Sequence, residues 1–194
     1  MAAIPRPTEV TELAALREAL DEAPPALRLE WLRGLSRRDV LSLYDLAVDG
    51  GPVRATDLAG AEGRVVVHQG RNSLPFFRAF QKRFCLRGGV VQGYNHNSSV
   101  VTWFGGPGHF TCAPDGDGLL FDYTAVPADV PPGFPPLRDN DHGTRKLVFG
   151  GMRDLLRKVS RHCLVGTAMR NGRPEGQGFV LVREGDPGED DRAD

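Results

Sequence analysis

Tyr94-Asn95-His96-Asn97, followed by Trp103, His109, Asp122 and Tyr123, is the densest group of side chains in this chain that could do chemistry. A carboxylate beside an imidazole orients the ring and raises its basicity, so His96 or His109 with Asp122 would form a general acid–base pair. A structural account competes with it. Asn-His-Asn is ordinary turn chemistry, and Trp and Tyr often fill a β core with their polar tip bonded. Other chemistries have weaker support. His68, His96, His109, His142 and His162 show neither His-x-His nor His-x-x-x-His spacing. His109 and Cys112 would face opposite sides of one strand, so no metal site is expected. Asp139-Asn-Asp141-His-Gly143 opens like a calcium loop but has no acidic residue at the twelfth position. Gly105-Gly106-Pro107-Gly108 lacks the Lys-Ser/Thr and helix start of a phosphate loop. There is no Gly-x-Ser-x-Gly elbow. Cys85 and Cys163 adjoin apolar residues, where burial would raise a thiol pKa and blunt its reactivity. No cofactor is expected.

These residues sit in a central stretch, 90–124, of β-branched and aromatic runs divided by Gly, Pro, Asn and Asp. That pattern predicts an antiparallel meander. Residues 1–50 read as a helical preface packed on the sheet. Val10, Leu13, Leu16 and Leu20 share one face of a helix over 8–23, Pro24-Pro25 ends it, and a second short helix follows over 26–32. Ser36-Arg-Arg-Asp39 then forms a capping box for a third helix. Past Val53 the period changes. Residues 64–68 predict a strand, whereas Phe76, Phe80 and Phe84, four apart, predict an inserted amphipathic helix with Arg78, Lys82 and Arg83 off its aromatic face. Those bases make a local basic surface, but nucleic acid would need exposed rings beside it, and these rings read as buried. Five prolines within 126–136 predict an ordered crossing loop or a lid. Residues 146–149 read as a strand, 152–159 as a short helix or a strand, and 163–169 and 179–183 as strands joined by a long loop through Asn171-Gly172. The acidic 184–194 reads as a disordered tail.

The fold class expected is α+β, mainly antiparallel β. It takes the form of a curved sheet or small barrel with N-terminal helices and one inserted helix, in a single domain over 1–183 (helical 1–50, β-rich 53–183). The 24 glycines and 15 prolines favour tight turns over long helices. A net charge of −1 provides no field that would draw nucleic acid or an anionic membrane. The three cysteines, far apart and odd in number, read as buried thiols, and no signal peptide is visible, so a cytoplasmic setting is expected. A homodimer is compatible with all of this.

Asp154-Leu-Leu-Arg157-Lys-Val159, Leu164-Val-Gly166 and Phe179-Val-Leu181-Val-Arg183 resemble the end of small lipocalin-like bacterial proteins of the GXWXG type. The resemblance covers about thirty residues and implies a β-barrel without naming a reaction. Trp103 stands in Val-Thr-Trp-Phe-Gly-Gly where that family has Gly-x-Trp-x-Gly. An eight-stranded barrel has room for one small ligand. The leading expectation is therefore non-catalytic binding of a small apolar or amphipathic molecule, lined by Phe76, Phe80, Tyr94, Trp103, Phe110 and Tyr123. The alternatives are a small cyclase, isomerase or hydrolase using the His–Asp pair, and a protein-interaction module using the N-terminal helices.

Overall fold

The computed structural model describes residues 3–76, 78–96, 107–137 and 149–186. Helices α1 (Leu13–Glu22), α2 (Pro25–Gly34) and α3 (Arg37–Leu46) and the one-turn α4 (Ala55–Leu58) precede eight strands. These are β1 (Val65–Asn72), β2 (Ala79–Arg87), β3 (Val90–His96), β4 (His109–Asp115), β5 (Gly118–Asp122), β6 (Met152–Lys158), β7 (Cys163–Arg170) and β8 (Arg173–Arg183). Each strand pairs antiparallel with the next, and β8 returns to β1 with His68 opposite Arg183, closing a barrel. Closure leaves no unpaired edge, which answers the choice between curved sheet and barrel.

The inserted helix expected at 76–84 is a strand. A spacing of four suits a helical turn, but it equally places Phe80 and Phe84 on one face of β2, where Phe84 stands opposite Val66 and Phe80 opposite Gly70. Phe76 belongs to the preceding turn and is 75% exposed. Residues 152–159, left between helix and strand, form β6. The β7–β8 connection is tighter than expected. Asn171 and Gly172 (φ 50° and 76°) make a two-residue turn between Arg170 and Arg173. The extra residues are absorbed inside β8 by a register shift opposite Thr167 and Met169.

Three cross-strand glycine–phenylalanine pairs set the interior. Gly70, Gly93 and Gly166 stand opposite Phe80, Phe110 and Phe179. A β-carbon on any of them would lie within 2.3 to 2.6 Å of that ring. The missing side chain is what lets each ring lie flat across its neighbour strand. Phe84, Phe110, Phe121, Tyr123, Phe149, Leu156 and Leu181 complete this inner core.

A second core lies outside the barrel. Leu16, Leu20, Trp31, Leu32, Leu35, Val40 and Leu43 of the helices cover Val165, Val180 and Val182 on the outer faces of β7 and β8. The capping box forms as expected: Ser36 Oγ accepts from the Asp39 amide, and the Ser36 amide donates to Asp39 Oδ2. Arg17 pins α1 by donating to the carbonyls of Val159 and Gly50 at 2.8 and 2.7 Å. The proline segment crosses the outer face of β2 to β4 and is not a cover over the interior. Arg87 bonds Asp129 at 2.7 Å, Thr111 donates to the Ala125 carbonyl, and Phe134 packs on Tyr94. Of the tail, Glu184 donates its amide to Val67 and Asp186 pairs with Arg28, so both are anchored. Among the described residues, no helix is long and apolar enough to cross a membrane.

One barrel end is plugged by α4 and its flanks. Val53, Leu58 and Ala59 join the inner core, His68 Nε2 donates to the Leu58 carbonyl at 3.1 Å, and Arg183 donates to the Thr56 carbonyl. β1, β3, β5 and β7 end, and β2, β4, β6 and β8 begin, at the other end, the loop side.

Two outcomes are expected. Gly166→Ala drives its methyl into the Phe179 ring and lowers unfolding free energy by about 1–3 kcal/mol; Phe179→Leu in the same chain restores part of it, as urea denaturation would show. The second concerns acid. Burial first, then Arg183, depress the His68 pKa from 6.5 to about 3. Between those values the unfolded chain binds a proton that the folded one refuses, so stability falls as pH drops through that window, by about 1.4 kcal/mol per unit. His162, lowered to about 4 by burial and Arg28, adds to this slope. Unfolding curves at pH 7 and pH 5 measure it, and His68→Gln, which keeps a donor for Leu58, should make it shallower.

Candidate functional site

Strand alternation puts Lys82 on the inner face of β2 between Phe80 and Phe84, where it is only 3% exposed. It stands opposite Asn95 of β3, and its Nζ donates to Asn95 Oδ1 at 2.7 Å. Nζ also lies 2.5 Å from the Tyr123 hydroxyl and 3.4 Å from Asp154 Oδ2. Tyr123, one residue beyond β5, donates its own proton to Asp154 Oδ2 at 3.0 Å. Asp154 reaches the interior as the middle of Met152, Asp154 and Leu156, the inward series of β6. Lys82, Tyr123 and Asp154 are buried, whereas Asn95 is half-buried and lies toward the loop end of the barrel. The four residues thus converge from β2, β3, β6 and the end of β5.

Around the amine is a cup of rings. Nζ is 4.8 Å from the centre of Phe110, 5.2 Å from Phe121 and Tyr123, 5.3 Å from Phe179 and 5.7 Å from Phe80. Each ring face attracts a cation by about 0.5–2 kcal/mol, more as water is excluded. Burial acts the other way. It lowers the Lys82 pKa, against the pull of Asp154, and raises that of Asp154, against the pull of Lys82 and Tyr123. Burial, seconded by the Asp154 charge, also holds Tyr123 well above the ordinary phenol range, so it stays a proton donor. Cys112 is half-buried, and its thiol is pushed upward by the same desolvation. The result is an amine and a carboxyl whose charged and neutral pairings are brought closer in energy than in water, linked by a phenol that can pass a proton between them.

The residues expected from the sequence divide by the same alternation. Phe80, Phe110 and Tyr123 face inward and meet at Lys82. Tyr94 faces outward, its ring 4.6 Å from Phe134 and 5.7 Å from His109. His96 is exposed, and His109 is buried beneath the proline segment, near the backbone of Pro135 and Pro136. Asp122 also points outward, accepts from Thr124, pairs with Arg153 at 3.1 Å, and stands opposite Thr111 rather than His109. The imidazoles and this carboxylate are therefore held by separate partners. Phe76 lies in an exposed turn, and Trp103 lies outside the described residues.

Lys82 and Asp154, the charged members of the inner cluster, were not among the expected site residues. The signal was present but misphased: as a helix, 76–84 turns Lys82 away from Phe80 and Phe84, whereas as a strand it turns all three the same way.

Breaking a buried ion pair from one side leaves a stranded charge at a cost of about 3–5 kcal/mol, while replacing both partners with apolar residues is close to neutral. Lys82→Met and Asp154→Leu should each lower stability by that order, and the double variant should recover most of the loss in a double-mutant cycle read by urea unfolding. The Lys82→Met deficit should shrink as pH falls and the lone Asp154 takes up a proton. No protein-family model matches the chain, and no curated protein matches it, so function is argued from this geometry.

Proposed function

We propose that the protein binds a small amphipathic molecule in the loop-side half of its barrel. The ligand's apolar body lies among Phe80, Phe110, Phe179 and Met152, and its polar head meets the Lys82–Asn95–Tyr123–Asp154 cluster. The carrying observation is a lysine buried inside a ring of phenyl groups, with its half-buried partner, Asn95, on the side nearest the loops. Packing alone does not call for such a group. An apolar residue of similar volume would fill the place without desolvating a charge. Ligand sites, by contrast, are apolar clefts with a few placed polar groups that fix orientation. The Asn95 amide is the partner a polar head would displace, since it alone among the three has solvent contact. The same reading takes the GXWXG resemblance as kinship in barrel architecture, because the residues that carry it fall in β6, β7 and β8. The His–Asp turnover reading lacks comparable support, its groups lying on the outer face with other partners.

Native mass spectrometry of freshly purified protein, followed by calorimetry with decanoate and decanol, tests the proposal. Decanoate should bind, and Lys82→Met should weaken it about tenfold, the worth of one charge-assisted hydrogen bond. His96→Ala and His109→Ala should leave it within about twofold. A chain that carries no small molecule and takes up neither probe has a solid interior, and the reading ends there.

A further inference from the structure

We propose that Lys82 captures carbonyl compounds as an imine, with Tyr123 and Asp154 moving the protons. This deepens the ligand-binding reading and rests on it, naming the ligand as a small aldehyde or ketone with an apolar body.

The amine must be free base to attack, and desolvation in an apolar pocket is the usual route to a reactive lysine. Lys82 meets that condition inside the barrel, with a carboxyl at 3.4 Å and a phenol at 2.5 Å to receive its proton. The identity of the cation also bears on this. Only three of the chain's 24 basic residues are lysines, and the other buried cations among the described residues, Arg28 and Arg183, are arginines. A guanidinium serves as well as an ammonium for a structural charge, but it does not deprotonate. At the one buried position surrounded by rings, a chain otherwise built on arginine carries the base that can lose its proton.

The step balances without a further reagent. The Nζ lone pair forms a C–N bond to the carbonyl carbon while the C=O π pair moves to oxygen, which takes a proton from the amine through the Tyr123 hydroxyl. The neutral carbinolamine then loses hydroxide as water, protonated by Asp154, and the second nitrogen proton returns to the Asp154 carboxylate. The carbonyl oxygen and both amine hydrogens leave together as water. The cationic iminium formed on the way inherits the ring cup and the carboxylate that surround the ammonium now.

The other described lysine offers no such setting. Lys158 donates to Asp57 at 2.7 Å, outside the ring-lined interior. Site selectivity is therefore the readout. The whole chain is incubated with trans-cinnamaldehyde and sodium cyanoborohydride at neutral pH, and the products are mapped by peptide mass spectrometry. Binding of cinnamyl alcohol, which has the same skeleton but no carbonyl, is measured alongside by calorimetry. The expected product is one adduct per chain, heavier by the aldehyde less its oxygen, on Lys82, with the preference for Lys82 over Lys146 and Lys158 lost when the chain is first unfolded in urea. Asp154→Asn should slow its formation at least tenfold when rates are compared at saturating aldehyde, with any change in affinity for the alcohol measured separately. Adducts spread over Lys146, Lys158 and the N-terminus without preference for Lys82 overturn the proposal, as does an Asp154→Asn rate equal to that of the parent. If the alcohol binds and Lys82 stays unmodified, carbonyl capture falls while ligand binding stands. If neither compound binds, both readings fall together.

Discussion

An amino group inside a closed barrel of phenyl rings constrains everything around it. Lys82 needs a counter-charge, hydrogen-bond acceptors and ring faces at once, and it finds them on strands far apart in sequence: Asn95 on β3, Tyr123 after β5 and Asp154 on β6. That requirement fixes register. A one-residue slip of β2 would turn Lys82 outward together with Phe80 and Phe84, and undo its contacts with Asn95, Tyr123 and Asp154 at once. Hydrophobic pattern alone would tolerate some slippage in a barrel rich in phenylalanine, since one ring replaces another at modest loss. A charged group tolerates none. The polar network is thus also a specificity device, of the kind buried ionic groups provide in some proteins.

The glycines act with it. Gly70, Gly93 and Gly166 each leave the space a cross-strand ring occupies, and Phe80, Phe110 and Phe179 all lie within 5.7 Å of the amine. Absent side chains on β1, β3 and β7 therefore position the cup as directly as the rings that form it. The edge-on contact of Phe80 with Phe179, centroids 6.0 Å apart, closes the cup on the β8 side.

Strands were legible in the sequence wherever β-branched residues crowded together, as in Val65-Val66-Val67 and Phe179-Val-Leu-Val, and the helices wherever caps and prolines marked their ends. What was not legible was phase. Phe76, Phe80 and Phe84 satisfy both a period of 3.6 and a doubled period of 2, and only pairing with β1 and β3 decides between them. The wrong choice exported Lys82 to the surface and hid the site. Proximity in sequence misled in a second way: Tyr94 and Asn95, or Asp122 and Tyr123, are neighbours along the chain but face opposite sides of the wall, so one apparent cluster became two. The short hairpin at Asn171-Gly172 was signalled by its dipeptide, but the register shift within β8 that allows it has no local signature.

Separating the two cores explains how the fold can hold a costly group where it does. The helices bury their apolar stripes against the outer faces of β7 and β8, and α4 with its flanks plugs one end. Each fully buried aliphatic side chain in that outer layer contributes about 1.5–3 kcal/mol, a contribution independent of what fills the barrel. At the plugged end His68 and Arg183 bond the carbonyls of Leu58 and Thr56 in α4. Stability is therefore shared between an inner core of rings and an outer layer of aliphatic side chains. The outer layer and the plugged end let the loop-side half of the interior hold a lysine, a carboxyl and a phenol at a cost that the interior need not offset alone.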